Sequence, residues 1–134
     1  MITLLHRQIK RLPITAEIIW SLGFVVGTTT HALDILYAGW LPYDFRPLAF
    51  NLYWTSLVFF DPLAAALIWL RERWGIIVGV VVMASNVLVN GYTAFGAGYE
   101  EFYFALSLQS AFAVFVFWCA FCHWRATTDM AKDA

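Results

Sequence analysis

The chain has 134 residues, 62% hydrophobic and only 13% charged, where a soluble domain carries roughly 25% charged residues. Eight Lys and Arg with nine Asp and Glu could not cover the surface of a soluble domain unless lipid contacted much of the rest, and a mean hydropathy of +0.71 agrees. A net charge of −1 offers no basic field for nucleic acid and no charge run for a disordered tail, so a nucleic-acid partner is not expected.

Before Pro13, the apolar Leu4, Leu5, Ile9 and Leu12 alternate with the basic Arg7, Lys10 and Arg11, the pattern of a short amphipathic helix on the inner leaflet. The first span runs from about 13 to 40. Its apolar region is too long for a cleavable signal peptide and shows no small-x-small site between Gly23 and Thr30, so it reads as a retained anchor. Glu17 stands in the first turn, where a carboxylate complements the positive helix end. Gly23 and Gly27 form a Gly-x-x-x-Gly stripe leading to His31 and Asp34, which lie three apart on one face, roughly 5 to 15 Å below the outer interface. A carboxylate one turn from an imidazole can hold it charged or fix its tautomer. These two are the candidate acid/base pair.

The second span, about 47 to 70, brings Asn51, Trp54 and Thr55 to a similar depth. Further along, Asp61-Pro62 reads as an N-cap followed by proline at the first helical position, so the helix is expected to kink or restart there. Asp61 lies roughly 20 Å from the outer end. Its carboxylate either satisfies amides freed at the break or forms a protonatable, cation-binding floor to a pocket.

The third span, about 74 to 95, carries a second glycine stripe, Gly75 and Gly79, and then Asn86 and Asn90. The fourth, about 102 to 124, contributes Gln109 and ends in Cys119, Cys122 and His123. That C-x-x-C-H spacing matches c-type haem attachment, but it ends a Trp- and Phe-rich helix on the predicted cytoplasmic side, where buried reduced thiols are expected instead. No two histidines share a depth for a b-type haem, and His31 with Asp34 lacks third and fourth zinc ligands. No cofactor and no metal are therefore expected.

The connections are short, which makes consecutive helices antiparallel. Arg7, Lys10, Arg11, Arg71, Arg73, Arg125 and Lys132 fall on one side and Arg46 alone on the other, so the positive-inside rule puts both termini in the cytoplasm. The expectation is a single all-α membrane domain over 1–134, an up-down-up-down four-helix bundle.

All four helices thus bring polar side chains to the outer half of the membrane. One reading is a pocket for a small apolar or amphiphilic ligand, bound by Asn51, Trp54, Thr55, Asp61, Asn86, Asn90 and Gln109, with proton transfer by His31 and Asp34. A second reading is a non-catalytic subunit or assembly factor of a larger membrane complex whose polar groups are interhelical glue, each worth ~0.6 kcal/mol. A third is a proton or cation pathway through His31, Asp34 and Asp61. The glycine stripes either tighten the inner half of the bundle or form a homodimer face, through Gly23 and Gly27 or through Gly75 and Gly79.

The run Asn51-Leu52-Tyr53-Trp54-Thr55-Ser56-Leu57, Asp61-Pro62-Leu63-Ala64 and Arg71-Glu72-Arg73 resembles a group of small four-helix inner-membrane proteins of bacteria, which implies an integral protein of the bacterial plasma membrane in contact with lipid. His31, Asp34 and the Pro62 position are also similar to the emopamil-binding and sterol-isomerase family. That resemblance implies a membrane cavity whose acidic and histidine side chains bind amine-bearing or sterol-like ligands and, in the enzymes, move a proton across a carbon-carbon double bond. Asp61 stands near the place of that family's second-helix glutamate, and Asn86 and Asn90 stand where a charged partner would be.

Overall fold

The computed structural model describes residues 11 to 132, the side chains of 127 and 129 to 132 excepted. The amphipathic segment expected before Pro13 lies outside these residues except for Arg11 and Leu12. Four helices follow one another: α1 (Ile14–Ala38), α2 (Leu48–Leu70), α3 (Glu72–Gly91), extended by a π-helical turn (Tyr92–Gly96), and α4 (Phe102–Lys132). No strand occurs among the described residues. The stretches Ile14–Ala38, Leu48–Leu70, Glu72–Gly96 and Phe102–Ala126 are each long and apolar enough to cross a membrane. The chain is a polytopic membrane protein.

Local sequence sets the helix ends. Pro13 and Pro47 precede α1 and α2, where a missing N–H costs no intrahelical bond. Gly39, at φ +83°, stops α1 with its N–H on the Ile35 carbonyl, a conformation open to glycine. Leu41 follows at φ +60°, a left-handed backbone that a branched residue adopts only when its surroundings hold it there. Arg71 alone separates α2 from α3, and its N–H closes on the Leu67 carbonyl. α4 runs eight residues past the expected end at 124, since no proline or glycine interrupts it.

α1 packs on α2, α2 on α3 and α3 on α4, whereas α1 and α4 meet at few points. The bundle is therefore open along one seam. Its core is filled by Trp20, Phe24, Leu57, Ile68, Ile76 and Val116, while Val26, Leu36, Phe59, Leu88, Phe104 and Val114 face outward. So much exposed apolar surface suits lipid rather than water. Both glycine stripes point inward. Gly23 faces the Phe112 ring, Gly27 the Asp61 carboxyl, Gly75 the backbone of Ile68 and Gly79 the indole of Trp20.

The expected restart at Asp61-Pro62 does not occur. α2 runs as one helix through Pro62, with the Val58 carbonyl left without its usual N–H donor because proline has none. The Asp61 carboxyl makes no capping bond, and its Oδ1 is buried without any hydrogen-bond partner in the chain.

Candidate functional site

The open seam between α1 and α4 holds a cleft of about 340 Å³, a volume suited to a small ligand. Its α1 wall runs from Gly23 to His31 and its α4 wall from Ala105 to Phe112, with Asp61 of α2 and with Met83 and Asn86 of α3 behind them. Its apolar lining comes from Phe24 and Phe112 and, at its lipid-facing edge, from the exposed Val26 and Leu108. Polar groups enter from all four helices: His31, Asp61, Asn86 and Gln109. Helical rise alone puts His31, Asn86 and Gln109 at one depth and Asp61 deeper; all four line this cavity.

Asp61 is only 2% exposed. Burying a carboxyl without a partner is costly, and glycine at 27 makes this position feasible, because a Cβ there would collide with Asp61 Oδ2.

His31 and Asp34 do not touch each other. Tyr43, from the connection between α1 and α2, stands between them: its hydroxyl donates to Asp34 Oδ2 at 2.7 Å and lies 2.7 Å from His31 Nδ1. A phenol has a single proton. Since Tyr43 gives it to Asp34, its oxygen must accept from His31 Nδ1–H, which leaves Nε2 of the neutral ring as the acceptor. Burial, and then the hydrogen bond and charge of Asp34, push the Tyr43 phenol well above its ordinary value of 10.0, so the relay keeps its proton.

Asn51 and Thr55 serve the same connection rather than the cleft lining. Asn51 Oδ1 accepts from the Tyr43 N–H at 3.0 Å and Nδ2 donates to the Leu41 carbonyl at 2.8 Å. Thr55 donates to Asn51 Oδ1 at 3.4 Å. The side chain of Asn51 thus holds the strained turn that delivers Tyr43 to α1.

Trp54 and Asn90 form a second relay behind the α4 wall. Trp54 Nε1–H donates to Asn90 Oδ1 at 2.7 Å, and Asn90 Nδ2 donates to Gln109 Oε1 at 2.6 Å. Tyr53 reaches α3, donating to Ser85 Oγ at 2.8 Å with Asn86 Oδ1 3.3 Å away. Tyr43 and Tyr53 escaped the sequence reading because neither belongs to a polar pair at helical spacing.

At the opposite end of the bundle, Glu72 accepts the Leu12 N–H and lies 3.5 Å from His123 Nδ1. Glu17 is 3% exposed nearby. Within the C-x-x-C-H run, Cys119 is buried and Cys122 exposed, while His123 turns to Glu72. Among the described residues no group of three or more His, Cys, Asp or Glu is placed to hold a metal ion.

Searches of protein-family models, curated proteins and solved structures find no match to this chain.

Proposed function

We propose that this protein holds one small amphiphilic molecule in the cleft between α1 and α4, its apolar part against Phe24 and Phe112 and its polar head against His31, Asp61, Asn86 and Gln109. The observation that carries this reading is the Asp61 carboxyl, buried at the back of a cavity with Oδ1 unpartnered. A ligand supplies what the fold withholds. Entry is from the bilayer through the open seam, so an apolar molecule reaches the site without crossing water. With Nε2 as its acceptor, His31 is suited to take a proton from a bound head, and Asp34 acts on it through Tyr43. The charge asymmetry and the resemblance to small bacterial proteins support a bacterial plasma membrane with both termini inside.

A proton or cation pathway is less well supported. Trp20 and Phe24, 0% and 2% exposed, fill the bundle between Asp61 and the buried carboxyls at the terminal end with aromatic rings.

Native mass spectrometry of the protein released from lipid nanodiscs tests the proposal. The expected result is one small molecule per chain in the wild type, absent in Asp61→Leu. A chain carrying only bulk phospholipid, or a retained molecule indifferent to residue 61, rejects it in favour of a structural or partner-binding role.

A further inference from the structure

The two relays behind the cleft have fixed directions, and those directions specify the head of the ligand; this inference rests on the binding reading above. An indole N–H can only donate. Trp54 therefore commits Asn90 Oδ1 to itself and turns Asn90 Nδ2 toward Gln109, whose Oε1 must accept. The Gln109 amide is thereby set with its NH₂ as the group left for the cleft. On the α1 side the order is reversed. Asp34 takes the Tyr43 proton, Tyr43 takes that of His31 Nδ1, and His31 offers Nε2 as an acceptor. Asp61, unpartnered at Oδ1, is a second acceptor on the rear wall.

One cavity thus presents a fixed donor on α4 and acceptors on α1 and α2. We infer that the cleft selects an uncharged amphiphile whose head both donates and accepts, the chemistry of a fatty amide or fatty alcohol. An alkylammonium pairs with Asp61 but has no lone pair for the Gln109 NH₂. An ester or ketone satisfies Gln109 and leaves the His31 Nε2 acceptor without a proton. Either mismatch leaves a buried polar group unpaired, and polar sites reject analogues on that ground.

The test uses the full chain in lipid nanodiscs with three probes of equal chain length: dodecanamide, dodecylamine and methyl dodecanoate. Binding is read as stoichiometry by native mass spectrometry and as the shift in Tm with probe concentration. Dodecanamide is expected to bind one per chain, about tenfold more tightly than either of the others. Gln109→Glu keeps an oxygen toward Asn90 and replaces the NH₂ by a second oxygen, so it is expected to shift the preference to dodecylamine. Trp54→Phe keeps a ring in place but frees Asn90 and Gln109 to turn over, and should shrink the amide preference to a few-fold.

Dodecylamine binding best to the wild type would overturn the inference while leaving the binding reading intact, since charge pairing at Asp61 would then govern. Methyl dodecanoate matching dodecanamide would overturn it as well, because no donor from the head would be needed. If none of the three binds saturably, the binding reading falls and this inference falls with it. Should a variant fail to fold, the ranking of the probes on the wild type decides alone.

Discussion

Gly27 and Asp61 occupy adjoining space: a methyl group on Gly27 would fall on the Oδ2 atom of the Asp61 carboxyl. The absence of one side chain on α1 is therefore what allows a carboxyl from α2 to reach the cleft. Gly27→Ala gains about 1 kcal/mol of helix propensity but overpacks a tight contact, which costs about 1–3 kcal/mol. The net expectation is a modest loss of stability together with a carboxyl displaced from its place in the cleft. Combining it with Asp61→Ala removes the colliding group, so the double variant should be more stable than the sum of the two single effects predicts. Thermal unfolding of the four proteins in one detergent measures this, and strict additivity would show that the two positions do not meet.

Tyr43→Phe removes the hydroxyl that joins His31 to Asp34 and leaves both without that partner. A loss of about 1–3 kcal/mol is expected, accompanied by a change in the imidazole. Nitrogen NMR of labelled histidine should find His31 protonated at Nδ1 in the wild type and shifted toward the other tautomer in the variant, since nothing then accepts from Nδ1. An unchanged ring spectrum would mean that Tyr43 does not set the tautomer.

Tyr43 also predicts a pH profile. Its phenol is held above the ordinary 10.0 by burial and by Asp34. A raised folded-state value means that its contribution to stability is fully present below the unfolded phenol's pKa, and is lost as pH rises through the higher folded value. Tyr43 therefore adds no tyrosinate absorbance between about pH 9 and pH 11. Wild type and Tyr43→Phe should give the same amplitude over that range while both remain folded. A deficit of one tyrosine in the variant would show that Tyr43 ionises in that range and that Asp34 does not hold its proton.

The four spans were legible because each combines length with apolarity and the breaks between them carry Pro, Gly or charge. His31, Asn86 and Gln109 could be brought to one depth from helical rise alone, and Asp61 placed deeper, since depth in a bundle follows residue number. Azimuth does not follow in the same way. Which helices adjoin, and that α1 and α4 stay apart, depends on side-chain fit, so the cleft's position along one seam was out of reach. The inward stripe of Gly23 and Gly27 was visible, but that Gly27 serves a carboxyl emerged only from the packing of α2. The helix start expected at Asp61 did not appear, although Asp-Pro is a strong local signal for one. Tertiary packing overrode it, and the carboxyl was carried into the bundle with no amide to receive it.

Glu72 offers the sharpest contrast between buried and surface charge. It is 7% exposed, accepts the Leu12 N–H and faces His123 at 3.5 Å, whereas the adjacent Arg71 is exposed. Glu72→Ala would leave the buried Leu12 amide without its acceptor and open a void beside His123, at a cost of about 2–4 kcal/mol. Arg71→Ala, on the surface, should stay within about 0.5 kcal/mol of wild type. Glu72→Gln separates the two roles of the carboxylate, because its amide oxygen can still accept from Leu12 while the charge opposite His123 is gone. It should fall between the other two. Unfolding of the three variants in the same detergent measures this series. Equal stability of Glu72→Ala and Arg71→Ala would show that the end of α4 does not depend on the Glu72 contact.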